Sequence, residues 1–192
     1  MSDRGAKVHA SYIEATRAWL ERAVIGLDLC PFARSVHLSN RIRFCVSDAR
    51  RPETLLEDLA RELIALQEAD PDACETTLLI HPWVFGDFLD FNDFLDAVDG
   101  AIEELGLEGE IQVASFHPDY QFAGTVPDDI ENYTNRSPYP TLHLLRESSI
   151  ERAVAAHPDI DGVPEKNIRT LRALGIEGWR RLWLDDAGAK GN

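Results

Sequence analysis

The sequence predicts an α/β domain: a small, mostly parallel sheet of about four strands flanked by helices, with a long ordered loop before the last strand and helices at the C-terminus. Three observations predict it. Short apolar or alternating runs at 41–47, 76–80 and 111–115 are separated by segments of helical period, an order that builds parallel sheets with right-handed crossovers. A stretch from Phe116 to about Pro140 has neither period, yet it carries Tyr120, Phe122, Tyr133 and Tyr139. Disordered segments are poor in aromatics, and long structureless connections inside compact domains are usually functional. Finally, 192 residues with 44% hydrophobic content suffice for one core and fall short of two, so a single domain spans 1–192. Residues 1–7 and 186–192 are expected to be flexible.

Val8 to about Leu27 carries Val8, Tyr12, Ala15, Trp19, Ala23 and Leu27 on one helical face, with Gly26 near the end. In Leu29-Cys30-Pro31-Phe32-Ala33-Arg34 the proline favours a first helical position, which puts Cys30 at the cap of a short second helix. Arg41–Ser47 alternates, with Ile42, Phe44 and Val46 on one face of a strand. Pro52 opens a helix whose stripe is Leu55, Leu56, Leu59, Leu63 and Leu66; Asp70-Pro71-Asp72 ends it. The continuous run Thr76–Ile80 suits a strand covered on both faces. Phe91–Leu105 reads as a helix capped by Asp90 and stopped by Gly106. The strand 111–115 and the long loop follow.

After the loop, Thr141–Leu145 reads as the last strand. No helix precedes it, so it is expected antiparallel at an edge. Ser148-x-x-Glu151 matches a capping box for a helix ended by His157-Pro158. Pro164 opens another, closed by Gly175, and a segment with Trp179 and Trp183 follows.

The formal net charge of −15 repels phosphate backbones and anionic lipid, which argues against nucleic-acid and membrane partners. The N-terminal stretch lacks a signal peptide's apolar region, and no apolar run approaches the roughly 20 residues a bilayer requires. Cys30, Cys45 and Cys74 are an odd count without CxxC spacing, so a reducing, cytoplasmic setting is expected.

Candidate chemistry centres on one predicted place. His81-Pro82 and His117-Pro118 each leave a strand. In parallel strands both would emerge at the carboxyl edge, where open α/β sheets bind ligands. An antiparallel last strand would return His143 to that edge, beside Asp119. His81, His117 and His143 are therefore candidate ligands for a divalent metal, or acid–base groups; an ordinary turn imidazole bonded to a carbonyl is the competing reading. Cys30 is a reserve nucleophile whose pKa a helix dipole would lower, with Arg34 one turn on. A buried structural thiol is the alternative. Arg136, with Asn135 and Asn132 nearby and Arg146 beyond, offers a two-pronged grip on a carboxylate or phosphate. Equally, Arg136 could pair with Asp128, Asp129 or Glu131 and staple the loop. Tyr120 and Gln121 could orient a substrate or satisfy loop backbone. No GxxxxGK[ST], GxGxxG or GxSxG motif is present.

The runs Leu29–Ala33, Phe116–Gly124 (FHPDYQFAG), Asn135–Pro140 (NRSPYP) and His143–Arg146 resemble the bacterial family DUF1415, whose function is unknown. The resemblance covers the chain from the first helix to about Ile150. It implies a bacterial protein and carries no catalytic residue with it. The residues themselves point to an enzyme acting on a small anionic metabolite in a His/Arg-lined pocket, possible metal assistance included. The alternative is a non-catalytic module that binds a ligand or partner. A third reading uses Trp179 and Trp183 to dock a partner, against their simply capping the core.

Overall fold

In a computed structural model, which describes residues 3–156 and 162–183, the described residues form six α-helices and one four-stranded sheet. Helix α1 (Asp3–Trp19) runs into a π-helical segment, Leu20–Ile25. Then come α2 (Ala33–Leu38), β1 (Ile42–Val46), α3 (Pro52–Glu68), β2 (Thr76–Ile80), α4 (Phe88–Glu104) and β3 (Ile111–Phe116). The loop 117–140 holds a 3-10 turn at Ile130–Thr134. β4 (Thr141–Arg146), α5 (Glu147–Ala156) and α6 (Val163–Arg181) complete the chain.

The sheet order is β1-β2-β4-β3. β1 and β2 pair parallel, whereas β4 pairs antiparallel with both β2 and β3. The expectation of a mostly parallel sheet with its last strand at an edge is therefore corrected. The sheet is mixed, and β4 lies inside it. β3 and β2 run the same way, so an opposed β4 bonds to both, and its apolar residues are covered on both flanks. Leu142 and Leu144 are fully buried.

The two faces have different partners. On one, Leu79, Ile111, Leu142 and Leu144 pack with the leucine stripe of α3 and with Phe91, Phe94 and Val98 of α4. On the other, Ile42, Phe44 and Phe116 meet Trp19, Leu20, Ala23 and Val24 of α1 and its π-helical end. Trp179 and Trp183 pack against this second cluster, so they cap the core as the plainer reading had it.

Several boundaries differ from the sequence expectation. Residues 3–7 are helical, so the first helix starts earlier than Val8. Asp87, rather than Asp90, caps α4: its carboxylate accepts the backbone N–H groups of Leu89 and Asp90. Helix α5 starts at Glu147 directly from β4, which puts Ser148 inside its first turn. Gly175 does break the last helix: its φ of 64° and ψ of 172° kink α6, a backbone that glycine adopts without a Cβ penalty. His157-Pro158 and the tail 186–192 lie outside the described residues. Within the described residues no helix is long and apolar enough to cross a membrane.

Candidate functional site

The three histidines do not converge, and the reason is strand geometry. Successive side chains on a strand point to opposite faces. His81 continues the Thr77–Leu79 side of β2 and His117 continues the Ile111–Val113–Ser115 side of β3. Both meet α4: each imidazole lies against Phe91, with ring centroids 5.3 and 5.5 Å away. His143, flanked in β4 by Leu142 and Leu144, points to the other face. It also pairs with Leu78 and Ala114, inside the strands rather than beyond their ends. The shared metal triad of His81, His117 and His143 is thus corrected: the sheet itself stands between the third imidazole and the other two. Among the described residues no group of three or more His, Cys, Asp or Glu side chains is placed to hold a metal ion.

His117 and His81 are held as turn imidazoles. The Asp119 N–H donates to His117 Nδ1 at 3.0 Å, so Nε2 carries the proton and donates to the Phe85 carbonyl at 3.0 Å. Burial lowers the His117 pKa, against the raising influence of the Phe85 carbonyl and of Asp119 and Asp87. His81 is fully buried, with Nδ1 3.4 Å from the Val84 carbonyl and Nε2 without a partner among the described residues. Burial drives its pKa down to about 3. Neither ring is charged near neutral pH. Asp119 itself is exposed.

The loop residues mostly bond to the loop. Asn132 is fully buried. Its Oδ1 accepts from the Phe122 N–H at 3.0 Å and lies 2.8 Å from the Thr125 hydroxyl; its Nδ2 donates to the Val126 carbonyl at 2.8 Å. Arg136 donates to the carbonyls of Tyr120 (3.2 Å) and Pro127 (2.7 Å) and lies over the Tyr133 ring. It staples the loop, but through carbonyls and not through Asp128, Asp129 or Glu131; Glu131 pairs with Arg172 of α6 instead. Gln121 donates to the Thr125 carbonyl, Asn135 to that of Ser115, and Tyr120 packs between Phe88 and Phe122. Arg146 donates to the carbonyls of Leu66 and Ala69 at the C-terminal end of α3 and to that of Cys74 just before β2. A cation there complements the negative end of the helix dipole. The expected two-pronged anion grip is therefore taken up by backbone oxygens at Arg136; at Arg146 Nη2 alone is so engaged, and Nε is enclosed with no partner among the described residues.

The cavity lies elsewhere. On the α1 face of the sheet a pocket of about 420 Å³ opens between the π-helical segment, α2, α5 and the strands. Its walls are Trp19, Leu20, Val24, Phe32, Leu78 and Phe116; exposed Ser35 and Arg152 put its mouth between α2 and α5. Volumes of this size suit small-molecule sites. The π-helical turn contributes Leu20 and Val24, and such turns recur at functional sites. Four polar groups line the cavity from the strand side: Glu75 and Thr76 at the start of β2, and His143 and Arg146 on β4. Glu75 is 2.7 Å from Arg41 and 3.7 Å from Arg152, so the rim charges are paired. Thr76 and His143 are 2.7 Å apart through Oγ1 and Nε2. Burial lowers the His143 pKa to about 4.

Cys30 lines the same cavity. Its environment does not activate it. Burial raises its pKa, outweighing the lowering influence of the Phe32 and Ala33 N–H groups, and Asp28 adds to the rise. It also precedes the Phe32 cap of α2 by two residues, so the expected dipole-activated thiolate at the cap is corrected. Arg34 turns to the Ile25 carbonyl. Of the residues singled out from sequence, Cys30, His143 and Arg146 border this pocket, while His81, His117 and Arg136 do not.

Trp19, Val24 and Thr76 carry no motif, Phe116 stands out only as the first residue of the FHPDYQFAG run, and nothing in the sequence marks the four as site residues. The one available signal was the interruption of an otherwise apolar face: Thr76 and Leu78 on β2 and His143 opposite them on β4.

Comparison with protein families matches residues 11–181 to a family model described as a protein of unknown function, DUF1415. No curated protein and no solved structure matches the chain.

Proposed function

The chain belongs to the DUF1415 family, and from that premise we propose that it is a binding module for a small, largely apolar molecule. The occupant would lie between the π-helical turn and the sheet. The observation that carries this reading is the 420 Å³ cavity, apolar on most sides, with a polar strip at His143 and Thr76. A pocket of this volume, mostly apolar, with a few placed polar groups and a mouth at α2 and α5, has the character of a small-molecule site. The anionic-metabolite reading loses support because Arg136 turns Nε and Nη2, and Arg146 its Nη2, to backbone carbonyls. A bacterial cytoplasm remains the proposed setting, in keeping with three unpaired cysteines.

A second reading, an enzyme acting on the bound molecule, draws on one observation: Cys30 and His143 border one cavity. Covalent chemistry there would need an occupant that raises the thiolate fraction, because burial alone suppresses it.

The test is titration with N-phenyl-1-naphthylamine, an apolar fluorophore, on the wild type and on Val24→Phe, which fills the pocket from its wall. Saturable binding to the wild type that weakens at least tenfold in the variant is expected. Equal binding to both chains, or none to the wild type, rejects the site.

A further inference from the structure

The hydrogen-bond arithmetic at His143 fixes what an occupant must bring. The Thr76 hydroxyl has one proton. Its Oγ1 is 2.5 Å from the Leu144 carbonyl, which can only accept, so the proton goes there. The same Oγ1 is 2.7 Å from His143 Nε2. With its proton already committed, the hydroxyl must accept from the ring, and Nε2 therefore carries the imidazole hydrogen. His143 Nδ1 is left as a bare acceptor. It has no protein partner among the described residues, and it is absent from the fully enclosed unpaired atoms, which include His81 Nε2. The ring itself lines the pocket, and Phe116 stands 6.2 Å from it, centroid to centroid.

We infer that the pocket selects apolar molecules bearing a hydroxyl or N–H donor, which bonds to His143 Nδ1, over isosteres that lack the donor and over carboxylates. This inference rests on the proposed binding function and adds the chemical class of the ligand. The carboxylate is refused for two reasons on the same strip. An acceptor lone pair faces it, and the Glu75 carboxylate borders the same cavity, paired with Arg41 and 3.7 Å from Arg152; Arg146, also on the lining, keeps its Nη2 on backbone carbonyls, and its unpaired Nε is enclosed. Buried polar groups left unpaired discriminate strongly, whereas apolar walls alone tolerate isosteres. An aromatic or short aliphatic alcohol fits the volume and chemistry; its carbon skeleton would lie along Trp19, Val24 and Leu78.

Three probes sharing one ring system separate the possibilities: 2-naphthol, 2-methoxynaphthalene and 2-naphthoate, measured by titration calorimetry. The expected result is a preference for 2-naphthol over 2-methoxynaphthalene of about tenfold, the worth of one net hydrogen bond, with 2-naphthoate weakest. In His143→Phe the preference for the naphthol disappears. Thr76→Val frees the ring to take either tautomer and narrows the preference. If the three probes bind the wild type equally, or the naphthoate binds best, the donor rule is overturned while the cavity function stands. If none of them binds, both fall together. A readout independent of any ligand uses the unmodified chain: nitrogen-15 spectra of the histidine rings. They should show His143 with a pyrrole-type Nε2 and a pyridine-type Nδ1, and the opposite tautomer overturns the inference even if neither variant folds.

Discussion

Asn132 offers the sharpest test of what orders the long loop. The side chain is fully buried and reaches three loop residues. Truncation to alanine does not strand all three. The Thr125 hydroxyl sits 2.8 Å from the Phe122 carbonyl as well as 2.8 Å from Asn132, so its single proton has a second acceptor. The Phe122 N–H and the Val126 carbonyl lose their side-chain partner. An unpaired buried group costs about 1–3 kcal/mol, with partly solvated positions at the low end. Asn132→Ala should therefore destabilise by about 2–3 kcal/mol, a melting-point drop of about 5–10 °C for a chain of this length. Asn132→Asp sharpens the argument. It keeps an oxygen toward the Phe122 N–H but sets a second one against the Val126 carbonyl and buries a charge. Its cost at neutral pH should match or exceed that of alanine. It should shrink toward pH 4, where the acid form regains a proton to donate. Urea denaturation of the three chains at pH 7 and pH 4.5 supplies the numbers. A cost under about 0.5 kcal/mol for alanine, against the expectation from two unpaired groups, would refute the claim that this residue organises the loop.

Other predictions concern acid, thiols and the π-helical turn. His81 and His143 are held neutral, with pKa values pushed down to about 3 and about 4, whereas an unfolded histidine titrates near 6.5. The unfolded chain binds the extra protons, so stability falls as pH drops below about 6.5. Between pH 6 and 5 each imidazole should remove about 1 kcal/mol, above the range where carboxylates dominate. His143→Phe should flatten that slope in urea melts, and an unchanged slope would reject the assignment. Cys45 is pushed up to about 12 by burial and by Glu62, and Cys30 is raised as well; both should react with iodoacetamide at pH 8 more slowly than a cysteine peptide, as mass spectrometry can count. At Gly26 a Cβ would lie 2.2 Å from the Arg22 carbonyl oxygen. Gly26→Ala should cost about 2 kcal/mol by forced backbone movement and should weaken N-phenyl-1-naphthylamine binding, because Leu20 and Val24 belong to the same turn. Unchanged stability would show that the turn relaxes freely.

Much of the framework was readable from residue patterns. The leucine stripe of α3, the alternation of β1, the continuous run of β2 and the stop at Gly106 each impose their element locally. What failed was non-local. Nothing in Thr141–Arg146 says which strands will flank it, and the placement of β4 between β2 and β3 decides where His143 sits. One residue of register changes the face of a strand side chain, so a correct strand still sent that imidazole to the wrong place. The arginines failed for a related reason. Their partners are carbonyls of Tyr120, Pro127, Leu66 and Ala69, and every residue has a carbonyl, so no sequence signal marks those that will be bonded. The pocket was invisible because it is bounded by α2 and α5, segments far apart in sequence.

The order of the strands also constrains how the molecule can be made. During synthesis, β3 leaves the ribosome before the strand it must hydrogen-bond to exists, since its ladder is formed with β4. A nascent chain that has reached residue 140 can zip β1 to β2, but both β2 and β3 still expose a row of open amides and carbonyls toward the empty slot between them. Only when residues 141–146 emerge can that hexapeptide slide in and close both ladders at once. Chains stalled or cleaved just before this point would display two adhesive margins, which makes truncations near residue 140 strong substrates for chaperones and for aggregation.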